Sequence, residues 1–166
     1  DRVTVEVDKL TTKAVSVSLV LDGDVTLRGT ADDRTVLKAV YVRNVGESDL
    51  NWRSPLVLRN GATAEHLAIT GGNAQGLWGA RGGGVSIYSG TLAHCFVTNN
   101  YYKGSGNSKG QGVYISPAQS ADSVTVTHCV IADNIVDVGG GNPVPGAGIY
   151  IEGSGKVLVD NCEQKY

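Results

Sequence analysis

From Ser54 onward, apolar and polar residues alternate in short bursts that repeat along the chain. One kind of burst is led by glycine: GGGVSIY from Gly82, GQGVYIS from Gly110 and GAGIYIE from Gly146, with a weaker forerunner, SPLVLRN, from Ser54. A period of two predicts a short β-strand with one face buried. The other kind bends in its middle: TAEHLAIT from Thr63, TLAHCFVT from Thr91, TVTHCVIA from Thr125 and VLVDNCEQ from Val157. Regular alternation of two such motifs is the mark of stacked supersecondary units.

Aligning the bent motif puts His66, His94, His128 and Asn161 in one column and Leu67, Cys95, Cys129 and Cys162 in the next, at spacings of 28, 34 and 33 residues. A fixed motif at variable spacing predicts coils of constant cross-section whose extra residues loop out on one face. In SVTVTHCVIAD, alternation turns Val124 and Val126 inward, but Cys129 and Ile131 join them only if the chain turns a corner at Thr127 and His128. Each coil therefore holds three strands. The column residue needs an unusual backbone conformation, and Asn and His are enriched at positive φ.

A glycine-led strand, then V-x-V-x-N-C-x-I, then a loop resembles the repeats of right-handed parallel β-helices of the pectin-lyase-like superfold, as found in bacterial surface and secreted proteins. The segment VTLRGTADDRTVL, from Val25, is similar to the first coil of such domains. The resemblance covers nearly the whole chain beyond about Asp22 and departs from the family in placing His at three of four corners where Asn is common. It implies an all-β fold: a right-handed parallel β-helix (solenoid) with three short strands per coil and variable loops on one face. Residues 1–166 form a single domain, in which 54–166 carry the clear repeats and 25–53 the first coils. Residues 1–24, with VTVEV and AVSVSLVL, read as either a first coil or an N-terminal cap. The resemblance is specific for fold and weak for function, because superfolds host many unrelated activities.

Composition narrows the partners. Fourteen basic against sixteen acidic residues give a net charge of -2, which supplies no global field toward nucleic acid or anionic lipid. No run approaches the length of a membrane helix, so no membrane insertion by this segment is expected. The chain opens at Asp1 and has no methionine, as a processed product or an excised piece would. A secreted or cell-surface location is expected by fold analogy alone. No polar cap precedes the stop at Tyr166, which predicts a fragment of a longer helix or an end that self-associates with another chain.

Several residues carry candidate chemistry. Cys95, Cys129 and Cys162 share one inward slot, where stacked thiols behave as small hydrophobes. His66, His94 and His128 could share a metal at rung spacing, but their spacing fits corners first, and no carboxylate or cysteine sits beside them on the outside. If these rings stack neutral, stability should fall at acid pH. Gly72, Asn100 and Asn134 begin the variable loops. Alternation places Tyr88, Tyr114 and Tyr150 outward on the glycine-led strand, exposed along with Arg59, Ser86, Ser116 and Glu152. The loops add Trp78, Arg81, Tyr101, Tyr102 and Lys103. Aromatic faces beside cations and hydroxyls suit sugars, whose apolar ring faces stack and whose acids and hydroxyls pair. Tyrosines that simply cover a sheet are the alternative.

The expected function is a non-catalytic segment that presents this loop and tyrosine face to a polysaccharide or surface glycan, with no cofactor. One alternative is a polysaccharide lyase or glycoside hydrolase acting on acidic polysaccharide. A lyase would, by the resemblance, use an Arg or Lys base and calcium, whereas a glycosidase needs paired carboxylates. Asp133, Asp137 and Glu152 are the acids on the groove side, scattered over different coils, and Asp32, Asp33 and Arg34 read as a solvated turn. A purely structural spacer, or self-assembling solenoid, is the remaining alternative.

Overall fold

The structure is a computed structural model that describes residues 3–6, 12–15, 18–31, 35–39, 54–72, 81–103, 109–137 and 147–165. The strands β1 (Val3–Glu6) and β2 (Thr12–Val15) are followed by the coil β3 (Leu19–Asp22), β4 (Val25–Arg28) and β5 (Thr35–Ala39). The next coil is β6 (Leu56–Arg59), β7 (Ala62–Glu65) and β8 (Leu67–Thr70). Then come β9 (Val85–Ile87), β10 (Gly90–Ala93) and β11 (Phe96–Thr98), with a short added strand, β12 (Tyr101–Lys103). The pattern recurs in β13 (Val113–Ile115), β14 (Ser123–Thr127) and β15 (Val130–Ala132), with β16 (Ile135–Asp137) as the added strand. It ends in β17 (Ile149–Ile151), β18 (Lys156–Asp160) and β19 (Glu163–Lys165). Among the described residues there is no helix, hence none long and apolar enough to cross a membrane.

Corresponding strands of successive coils stack in parallel. The first sheet has the order β17-β13-β9-β6-β3, the second β1-β4-β7-β10-β14-β18 and the third β19-β15-β11-β8-β5-β2. This is a parallel β-solenoid with three strands per coil. Parallel neighbours need a long crossover, and here the other two strands of each coil supply it. Strands β12 and β16 form a separate two-stranded ribbon.

The inward residues meet in one apolar core. Leu56, Leu58, Val85, Ile87, Val113 and Ile115 come from the first sheet, Ala64, Leu92, Val124 and Val126 from the second, and Leu67, Ile69, Val97 and Ile131 from the third. Each large aliphatic side chain contributes about 1.5–3 kcal/mol by leaving water.

The corner between the second and third sheets falls where the histidine column predicts it. His66, His94, His128 and Asn161 have φ of 55°, 51°, 52° and 49°. The imidazoles stack, with centroids 4.9 Å apart from His66 to His94 and 4.8 Å from His94 to His128. Those separations equal the spacing of adjacent β-strands, about 4.8 Å. Directly after the corner, Cys95 and Cys129 are buried and Cys162 is half-buried, all as free thiols. Each Sγ sits 3.2–3.3 Å from the carbonyl two residues earlier. Burial pushes the Cys162 thiol above its ordinary pKa.

A second ladder lies where the sequence suggests only the start of loops. After the third sheet, Gly71, Asn99 and Asp133 take φ of 75°, 55° and 54°, and the residue that follows each is buried. Asn100 accepts from the Gly72 amide at 2.9 Å and donates to the Asn134 side chain at 2.9 Å. Asn134 in turn donates to the Val97 carbonyl at 2.9 Å. These amides satisfy backbone groups that the bend removes from the sheet. The glycines facing them leave no room for a side chain: a Cβ on Gly84 would lie 2.5 Å from Val97 and 2.7 Å from the Asn100 amide. Strands β17, β18 and β19 form the edge of all three sheets, and Ile151, Leu158 and Val159 are exposed there.

Candidate ligand-binding face

The outward positions of the first sheet form two columns that run across the coils. One holds Val20, Val57, Ser86, Tyr114 and Tyr150. The other continues the same register through Asp22, Arg59, Tyr88, Ser116 and Glu152. Beside them Arg81 and Lys109, each directly before a glycine run, pair as a parallel bridge.

The central part of the first column is sealed. Val57 is buried, and so are Ser86 and Tyr114, both of which the alternation placed outward and exposed. Tyr114 does face outward, but its neighbours roof it. The Tyr150 ring stacks at 6.3 Å and 3°, the Tyr88 ring meets it edge-on at 6.4 Å and 71°, and the Arg81 guanidinium lies 5.5 Å from its centroid. Ser54 locks the segment that carries Arg81: its hydroxyl donates to the Gly82 carbonyl and lies 2.6 Å from the Ser86 hydroxyl.

Glu152 is the hub of the face. Lys109 Nζ donates to Oε2 at 2.6 Å, the Tyr114 hydroxyl donates to Oε1, and Arg81 lies 3.9 Å from Oε1. Lys109 also sits 4.9 Å from the Tyr150 ring centroid, and Arg59 sits 5.5 Å from that of Tyr88. Burial acts on Glu152 to raise its pKa, but hydrogen bonds from Lys109 and Tyr114, with the charges of Lys109 and Arg81, outweigh it and hold the carboxyl below its ordinary range. The hydrogen bond to Glu152, then one with Tyr150, holds Lys109 above the usual lysine value. Burial, and then the hydrogen bond to Glu152, push the Tyr114 phenol up to about 12. Burial also raises Tyr88 against the opposing charges of Arg59 and Arg81. Near neutral pH these groups are therefore a protonated lysine, an ionised carboxylate and protonated phenols. None of them is poised to exchange a proton.

The structure thus brings together Arg81, Tyr88, Tyr114, Tyr150 and Glu152 from the set expected in the sequence. Tyr101 belongs to the β12–β16 ribbon, where its hydroxyl donates to Asp137 at 3.1 Å. Tyr102 and Lys103 lie on β12, with side chains outside the described residues, and Trp78, Asp32, Asp33 and Arg34 also lie outside them. Lys109 is a central residue that the tyrosine alternation does not reveal. Its signal is the column R-G-G-G-V and K-G-Q-G-V, in which a cation precedes the glycines of two coils. Among the described residues no group of three or more His, Cys, Asp or Glu could hold a metal ion. The face-to-face histidine rings lie at a corner between other sheets, away from this face. No protein family, no curated protein and no solved structure matches the chain.

Proposed function

We propose that this solenoid is a non-catalytic glycan-binding module of pectin-lyase-like architecture, from an exported or cell-surface protein, and that it takes acidic sugar chains on the outward face of its first sheet. The observation that carries the reading is a stacked tyrosine surface, Tyr88 and Tyr150 around buried Tyr114, lined by Arg59, Arg81 and Lys109. Among the described residues two carboxylates share this face, Asp22 and Glu152, and both already accept hydrogen bonds, from Asn60 at 2.6 Å and from Lys109 at 2.6 Å. Half-buried tyrosine rings offer stacking surface, and Arg81, with 43% of its side chain exposed, offers a planar donor to sugar carboxylates.

Local chemistry favours binding over turnover. Two candidate bases on this face are disfavoured, because Glu152 holds Lys109 protonated and Tyr114 stays a phenol up to about 12. A glycosidase needs two carboxyls roughly 5–9.5 Å apart, and among the described residues only Glu152 belongs to the tyrosine cluster. The reading is tested by calorimetric titration with polygalacturonate, alginate and a neutral galactan. Expected is salt-sensitive binding of the acidic chains, weakened about tenfold, or about 1.4 kcal/mol, by Arg81→Ala and by Tyr150→Ala. Absence of binding to every polymer would leave a structural spacer. Appearance of unsaturated uronate absorbance would instead reveal a lyase.

A further inference from the structure

We propose that Glu152 is a resident stand-in for the ligand: its carboxylate fills a preformed anion site made by Arg81, Lys109 and Tyr114, and an incoming sugar carboxylate must displace it. The inference rests on the acidic-glycan reading above.

The two cations and the phenol come from two successive turns of the solenoid and converge on one carboxylate from the next. Arg81 precedes β9, Lys109 precedes β13 and Tyr114 lies within it, while Glu152 follows β17. Each carboxylate oxygen has its own hydrogen-bond donor, Tyr114 for Oε1 and Lys109 for Oε2. This two-sided arrangement suits a planar carboxylate.

The phenol donor is fixed and the acceptor can leave. Tyr114 is fully buried under Arg81 and its ring neighbours, so its hydroxyl cannot follow a departing partner into water. Once Glu152 leaves, the buried hydroxyl keeps the neutral Ser116 side chain, a weaker partner than a carboxylate, which favours replacement of one carboxylate by another. Glu152 is the last outward residue before a turn. Gly153 follows at φ 108°, and both Gly153 and Ser154 are exposed. Its side chain is 29% exposed, and a part-exposed ion pair is a weak lock. A polymer bearing many carboxylates can compete for the site in a way that a single small acid cannot.

Removing the stand-in should strengthen binding. Titration of the full chain with an oligogalacturonate should give at least tenfold tighter binding for Glu152→Ser, whose side chain is too short to reach the donors, and a smaller gain for Glu152→Gln. A neutral galacto-oligosaccharide of equal length should show no change, and adding Arg81→Ala to Glu152→Ser should abolish the gain. Circular dichroism identifies any variant that fails to fold, in which case the other decides. If the parent binds and the folded variants bind equally or more weakly, Glu152 is part of the binding surface or a tie between coils, and the inference falls while the glycan reading stands. If neither parent nor variants bind, the glycan reading falls with it.

Discussion

The histidine corner and the tyrosine face are both columns of side chains running across the same coils, yet they are built in opposite ways. At the corner His recurs in three successive coils with one backbone conformation that Asn161 then keeps, and His94 stacks on a ring above and a ring below. On the face the column changes along the molecule: Val57 and Ser86 give way to Tyr114 and Tyr150, and the polar contacts run diagonally from Lys109 and Arg81 to Glu152. A repeated column solves a problem that every coil has, which is how to turn. A column that changes from coil to coil solves a problem the molecule has once. That contrast separates scaffold from candidate site without any knowledge of a ligand.

The comparison can be broken from the scaffold side first. Asn100→Ala removes the amide that serves Gly72, Ile69 and Asn134 and strands buried partners, so a loss of about 3 kcal/mol is expected in urea unfolding. Binding by the folded fraction should be unaltered. His94→Val forces a β-branched residue to φ of 51° and should cost about 2 kcal/mol, whereas His94→Asn should stay within about 0.5 kcal/mol. Similar losses for the two substitutions would mean that ring stacking, and not backbone tolerance, makes the corner.

Substitutions on the face should cost less. Tyr114→Phe removes one hydrogen bond to Glu152 and should destabilise by about 1 kcal/mol. Its raised folded pKa means that the contribution of Tyr114 is present below the ordinary tyrosine pKa and is lost as pH rises through about 12. Ultraviolet titration of the tyrosines should therefore show a late-ionising phenol in the parent that Tyr114→Phe lacks. The smallest effect is at acid pH. Glu152 has a lowered pKa, so its contribution is present above the ordinary glutamate value and is lost as pH falls through the lower folded value. Glu152→Gln should flatten that part of the stability profile, and an unchanged slope would remove Glu152 from the account.

The same contrast explains what could be read from the sequence. Glycine-led alternation and the His66, His94, His128, Asn161 column were enough for three strands per coil, because anything every coil needs is written repeatedly. Asn100 and Asn134 escaped as core residues. They are polar, they stand where the loops begin, and their burial depends on carbonyls in the neighbouring coil, such as Ile69 and Val97. Tyr114 was placed on the correct side but at the wrong depth, since period two gives direction and says nothing of what lies above. Lys109 reaches Glu152 across 43 residues, a separation no local pattern encodes.

The file of thiols has a practical consequence. Cys162 is half-buried, whereas Cys129 and Cys95 are sealed in successive coils. A sulfhydryl reagent can reach Cys162 in part from the folded state but Cys129 and Cys95 only when their own coils open, and linear arrays open by local steps. The order and spacing of labelling, read by mass spectrometry, would form a clock that times the unzipping of this solenoid coil by coil, with no foreign probe introduced.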